Sequence, residues 1–483
     1  METKAGAQIG RKAFFQSLII LLVIMILAGV LTKVIPAGRF DRIIQGEREL
    51  IQPDSFSFVD APNYPVWRWF TAPIEVLWGD DNLLVIVISL FILMVGGAFA
   101  VLEMSGILQT GLEWIVNRYQ DRKYLLLMLI TLFFMMLGAF FGIFEEVVPL
   151  VPIILALSYY LGWDALVGLG MSILATNMGF SAAITNPFTI GVAQELAGLP
   201  LFSGSWFRVP FFIIIYSVLV YFLIRYARRI EKAPERSLVF ELDQGMRAKR
   251  AEFKLDLNQT QNLKHRGAMI WFGVFLLGII SVLLGAPFSE FLSDYALPLV
   301  GLLFLVGGVG AGLLTGIGSD RVWKALREGI SGIAPGVILI LMAVSVKVIV
   351  ENGQIMDTIL YRMSGMFDEA SPFLSAVLIF VLALVIEFFI SSGSAKAFLL
   401  MPILLPLADL VGVTRQIAVT AYCFGDGFSN MFYPTSAVLL ISLGLTPVSL
   451  PKWLRWTAPL WMVVLTIAIL FLGIAVAVGY GPY

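Results

Sequence analysis

The chain has 483 residues, 59% hydrophobic and only 13% charged, with a net charge of −1 and a mean hydropathy of +0.91; soluble domains run near 45–50% apolar and about 25% charged. This composition marks a polytopic helical membrane protein and leaves no basic field for nucleic acid. One histidine, His265, and one cysteine, Cys423, argue against a histidine metal site or triad and exclude an intrachain disulfide, and no Gly-x-x-x-x-Gly-Lys-Ser/Thr run is present to hydrolyse ATP.

Apolar runs of about 20 residues mark the spans. The first, 13–35, follows Lys4, Arg11 and Lys12 and lacks a small-x-small cleavage pattern, so it reads as an uncleaved helix. A polar segment, 36–81, carries an amphipathic piece near Trp67–Trp78 that suits the interface. Span 83–102 leads into a surface arm, 103–121, with Glu103, Glu113, Arg118 and Asp121. The long run 123–161 is broken at Phe141-Gly142-Ile143-Phe144-Glu145-Glu146-Val147-Val148-Pro149. Span 165–195 is interrupted at Ala182-Ala183-Ile184-Thr185-Asn186-Pro187-Phe188, where the proline removes a backbone hydrogen bond. Span 207–228 follows, and a linker rich in Arg and Lys, 229–266, marks a cytoplasmic loop.

The second half gives spans near 267–287, 292–317 and 333–350, with a basic amphipathic helix at Arg321–Arg327. After a polar arm, 351–371, the run 372–411 is broken at Ser391-Ser392-Gly393-Ser394-Ala395-Lys396. A broken span, 414–442, and a last span, 456–479, close the chain. The halves answer each other: Phe140-Phe141 and Phe388-Phe389, Gly179-Phe180-Ser181 and Gly427-Phe428-Ser429, and Glu103 and Glu351 are each 248 positions apart. With both long runs taken as re-entrant hairpins, about nine full crossings remain. Every strong positive cluster then falls on one side, with the N-terminus and linker cytoplasmic and the two repeats inverted. Full crossing of the hairpins also leaves the linker inside, so charge does not decide between the two topologies. Inverted repeats with discontinuous helices and a midplane site characterise secondary transporters.

Irregular backbone is tolerated in a bilayer only where protein or a watery cavity surrounds it. Intramembrane charges are therefore functional candidates. The expected substrate residues are Glu145, Glu146, Asn186, Ser392, Gly393, Ser394, Lys396, Asn430 and Thr435. Adjacent Glu145 and Glu146 face different directions, so one of them reaches the site, to couple a cation or proton or to grip a substrate ammonium. Ser391, Ser392 and Ser394 start a helix whose free N–H groups suit a carboxylate. Lys396 can bind that carboxylate or neutralise a glutamate of the first tip. Asn177, Thr185, Asp426, Ser429 and Ser436 offer oxygens suited to Na⁺. Proton coupling through a carboxyl is the other option, and no organic cofactor is implied.

Ser392-Gly393-Ser394, Phe424-Gly425-Asp426-Gly427-Phe428-Ser429, Tyr433-Pro434-Thr435-Ser436-Ala437, Glu145-Glu146 and Asn186-Pro187-Phe188 together resemble the YfcC branch of the DcuC-type C4-dicarboxylate anaerobic carriers. The resemblance covers nearly the whole chain. It departs at Ala395-Lys396, where that branch has Gly-Gln, and so introduces a cation. It implies an ion-transporter fold in a prokaryotic inner membrane, usually dimeric, with a transport domain (122–228 and 372–483) moving against a scaffold (1–121 and 267–371). The expected function is a cation-coupled secondary transporter of a small carboxylate-bearing metabolite, an amino acid or short peptide. The first rival is a C4-dicarboxylate carrier or exchanger. A distant one is an intramembrane serine hydrolase using Ser392 or Ser394 with Lys396.

Overall fold

The computed structural model describes residues 11–45, 48–52, 55–79, 82–107, 110, 122–244, 263–285, 289–367 and 370–481. Lys4, the Glu113–Asp121 end of the first arm and residues 245–262 of the linker lie outside them. Among the described residues, ten helical stretches are long and apolar enough to cross a membrane, so the protein is an all-α, multi-pass membrane protein.

Helix α1 (Arg11–Val34) leads into a small extramembrane piece. This piece departs from the all-helical expectation. Strands β1 (Gly38–Arg39) and β4 (Ser57–Phe58) pair antiparallel, as do β2 (Arg42–Gln45) and β3 (Arg48–Ile51). Two-stranded ladders have open edges, which water can satisfy and lipid cannot. Helix α2 (Trp67–Glu75) follows, with Trp67, Phe70 and Ile74 exposed on its apolar side, and then α3 (Asn82–Met104).

Helix α4 (Lys123–Phe141) stops at Gly142, whose φ of +68° forms a left-handed cap that most side chains avoid. A 3₁₀ turn (Glu145–Leu150) leads into α5 (Val151–Tyr160). Then α6 (Ala165–Leu169), a π turn and α7 (Ala175–Ala182) run to Ala183, another left-handed residue. Asn186 restarts the chain as the cap of a π turn over Pro187–Gly191, followed by α8 (Val192–Leu196) and α9 (Ser205–Lys232).

Helices α10 (Leu263–Gly285), α11 (Glu290–Leu314), α12 (Ser319–Ile333), α13 (Pro335–Asn352) and the short α14 (Met356–Ser364) open the second half. Helix α15 (Pro372–Glu387), α16 (Gly393–Leu410), α17 (Arg415–Ser429), α18 (Ala437–Gly444) and α19 (Leu450–Ala477) then follow the order of α4 to α9. Helices α9 and α19 have the same length, 28 residues.

Packing follows the same order. Helix α4 lies on α7 as α15 lies on α17, and α7 and α17 touch each other. Small residues let these backbones meet. A methyl placed on Gly179 would sit 2.7 Å from the Met135 carbonyl carbon, and one on Gly425 would sit 2.6 Å from Ala383 Cβ. Elsewhere α3 packs on α11 and α12, and α1 on α13. Residues 165–182 are all buried, whereas only 17% of His265–Val282 is, so the first broken helix is innermost and α10 faces outward.

Candidate functional site

The chain interruptions converge. Thr185 of the first helix break donates its N–H to Ala139 O and its hydroxyl to Phe140 O, both at 3.0 Å, holding that break against the end of α4. Asn186 accepts from Phe188 N at 2.9 Å, and a methyl on Gly142 would sit 2.7 Å from the Phe188 ring. On the other side, a methyl on Gly393 would lie 2.7 Å from Thr189 Cγ2 and 3.1 Å from Asp426 Oδ2. The start of α16 therefore touches both broken helices, and the Tyr422 hydroxyl donates to the Gly393 carbonyl.

At that contact lies a buried ion cluster. Lys396 Nζ is 2.7 Å from Asp426 Oδ1 and also meets Glu387 Oε2, and all three side chains are buried. They come from three elements: the last residue of α15, the first turn of α16 and the last turn of α17. One buried charge costs roughly 2.5–3.5 kcal/mol on insertion scales, so the cluster persists only because its members compensate each other. Glu145 and Glu146 are half-buried at the first tip, where Glu146 Oε2 accepts from Phe144 N at 3.2 Å. Glu145 lies within electrostatic range of Asp426. Two carboxylates thus contact Lys396, with Glu145 within electrostatic range of one of them and Glu146 beside Glu145.

Two asparagines are fixed in orientation by one bond each and present the other amide atom unpaired. Asn177 Nδ2 donates to Gly427 O at 2.7 Å, which leaves its buried Oδ1 as a free acceptor. Asn186 uses Oδ1 as the cap, which leaves its buried Nδ2 as a free donor. Buried polar atoms are normally paired. One vacant acceptor and one vacant donor suit a ligand that carries both an ammonium and a carboxylate.

The remaining expected residues divide. Ser429 donates to Gly425 O at 3.1 Å and Asp426 O at 3.2 Å, and Asn430 Nδ2 donates to Asp426 O at 3.3 Å. With Asn177 these residues gather on the Gly425–Gly427 backbone. Ser436 caps α18 through Leu439 N, and Thr435 beside it is buried. Thr185 belongs to the first tip. Ser391 and Ser392 are exposed, Ser394 is half-buried, and Ser392 caps α16 by accepting from Ala395 N at 3.4 Å. Lys396 engages carboxylates here, not a serine hydroxyl.

Sequence reasoning missed Glu387. It sits four residues before Ser391, where the expected tip begins, and its only sequence signal is a carboxylate ending an apolar run. It also missed the donors that satisfy carbonyls freed at the breaks. Arg208 Nη2 donates to Ile184 O at 3.0 Å, Trp453 Nε1 to Met431 O at 2.7 Å and Trp461 Nε1 to Phe428 O at 3.1 Å. Such donors are what permit broken helices at membrane depth.

Residues 14–477 match the C4-dicarboxylate anaerobic carrier (DcuC) family. The chain is 29% identical over 486 residues to the putative basic amino acid antiporter YfcC of Escherichia coli strain K12, covering 93% of this chain and 94% of that protein. It is 25% identical over 375 residues to an uncharacterized protein of Haemophilus influenzae, covering 77% and 72%. Among solved structures, the YdaH transporter of Alcanivorax borkumensis aligns at 18% identity and a TM-score of 0.44, over 97% of this chain and 100% of that one. MtrF of Neisseria gonorrhoeae, described as illuminating a class of antimetabolite efflux pumps, aligns at 16% identity and a TM-score of 0.43, over 95% and 94%.

Proposed function

Because the chain belongs to the C4-dicarboxylate anaerobic carrier (DcuC) family, a family of membrane transporters, we propose that it is a secondary active transporter of a basic amino acid or a short peptide with a basic side chain. The observation that carries this reading is the acidic excess: Glu145, Glu146, Glu387 and Asp426 against two buried cations, Lys396 and, at the first break, Arg208. Two unit charges about 6 Å apart at an effective dielectric near 20 interact by about 3 kcal/mol. A substrate cation gains that from the carboxylates, and a dianion loses it. The substrate carboxylate goes to Asn186 Nδ2 and the N–H groups opening α16, and its cationic groups go to the acidic side chains. The name of the Escherichia coli relative supports the same substrate class.

Transport is cation-coupled alternating access. The unit formed by 122–228 and 372–483 moves, elevator-like, against 1–121 and 267–371. The close packing of α4 with α7, α7 with α17 and α15 with α17 supports one unit, and that of α3 with α11 and α12 supports the other. The halves 1–228 and 267–483 are the two inverted repeats, each giving a part to both units, and the protein is a homodimer. The N-terminus and linker face the cytoplasm of a prokaryote. The family's name carries the rival, a C4-dicarboxylate substrate held by Lys396 and the start of α16.

The test is exchange in proteoliposomes preloaded with unlabelled lysine. Labelled lysine or arginine should enter, and a labelled C4-dicarboxylate should not. Dicarboxylate entry without entry of basic amino acids would overturn the reading.

A further inference from the structure

We propose that Lys396 is a tethered counter-cation that occupies the place of a coupling Na⁺, so that this chain transports without Na⁺ at Asp426. The geometry stands by itself, and the consequence for transport rests on the functional reading above.

The position of Lys396 is unfavourable on local grounds. It lies in the first turn of α16, where the positive end of the helix dipole repels a cation. Its side chain is fully buried, so water does not compensate it. What holds it there are two carboxylates from other elements, Glu387 at the end of α15 and Asp426 inside α17. A cation bridging oxygens from separate elements is the arrangement a bound metal ion adopts, and here the Lys396 ammonium bridges them, at an ordinary ammonium–carboxylate distance of 2.7 Å to Asp426. Carbonyl and hydroxyl oxygens of Gly425 and Ser429 lie on the same turn as Asp426. The ammonium thus supplies what an alkali ion would supply, but it cannot dissociate. The carboxylate pair stays compensated whether or not substrate is bound, and no ion gradient acts at this point.

Removing the ammonium should uncover a latent Na⁺ site. The experiment is thermal melting of the purified full chain in NaCl, KCl and choline chloride at equal ionic strength. The wild type should melt at one temperature in all three. Lys396→Met should melt lower in choline chloride and recover by a few degrees, saturably, in NaCl only. The double variant Glu387→Gln/Lys396→Met restores the net charge of the cluster and leaves Asp426 without a counter-ion, so it too should gain Na⁺-specific stabilisation. Na⁺-specific stabilisation of the wild type overturns the proposal, as does a folded variant that ignores Na⁺. If neither variant folds, exchange by the wild type in Na⁺-free medium decides: it must run at the rate seen in Na⁺. Adding lysine or arginine to the wild type in the same assay keeps the two claims apart. Stabilisation by these amino acids together with Na⁺-specific stabilisation rejects the counter-cation alone. A latent Na⁺ site without any effect of these amino acids rejects the substrate reading alone.

Discussion

Asn177 Nδ2 donates to the Gly427 carbonyl at 2.7 Å, joining the two broken helices across 250 positions of sequence. That bond ties the halves together and also aims Asn177 Oδ1 as an unpaired acceptor. Asn177→Ala removes both. It should cost about 1–3 kcal/mol of stability, read as a lower melting temperature, and should raise the KM for substrate. Unchanged values of both would mean that the bond matters to neither fold nor site.

Two glycines separate fold from site. Gly179→Ala drives a methyl into the Met135 carbonyl, which is backbone and cannot step aside. Overpacking of this kind costs about 1–3 kcal/mol, so the variant should give a poor yield of monodisperse protein by size exclusion. Gly393→Ala meets side-chain atoms of Thr189 and Asp426 instead. It should fold and lose substrate affinity. Wild-type affinity in folded Gly393→Ala would place the substrate away from the start of α16.

The adjacent glutamates of the first tip should behave differently. Glu146 holds the tip through Phe144 N, so Glu146→Gln should lower the melting temperature, by about 1 kcal/mol of stability. Glu145 faces Asp426 electrostatically, so Glu145→Gln should instead raise the KM for a basic amino acid at nearly unchanged stability. Transport kinetics paired with melting curves check the split, and the reverse pattern would exchange the two roles.

Outside the membrane, Arg68 hydrogen-bonds Glu75 on α2 at 2.6 Å and holds its carboxyl below the usual glutamate range. A depressed carboxylate contributes stability above its unfolded value and loses it as pH falls through the lowered one. The pair is partly exposed, so its worth is at most about 1 kcal/mol. Arg68→Ala should lower the melting temperature slightly at pH 7 and leave it unchanged at a pH where Glu75 is protonated. An equal loss at both pH values would point to packing of the Arg68 stem instead of charge.

Much of the architecture was legible because lipid imposes its own rule: a span needs about 20 apolar residues, and a break inside one stands out. Pro187 and the Ser391–Ser394 run announced two breaks in this way. Glu387 was harder to see, since its partner Lys396 lies nine positions on, across a helix end, and only the turn between α15 and α16 brings them together. Arg208, Trp453 and Trp461 carry no local signal, because the carbonyls they serve lie 22 to 33 positions away. The strands between 38 and 58 are two to four residues long, too short to display a period of two.

The most direct test of the central claim is isothermal titration of the purified chain with lysine, arginine and a C4-dicarboxylate, repeated on Glu387→Gln. An acidic site predicts saturable binding of lysine or arginine, weakened at least tenfold in the variant, and no binding of the dicarboxylate. Saturable dicarboxylate binding with no response to either basic amino acid would contradict it.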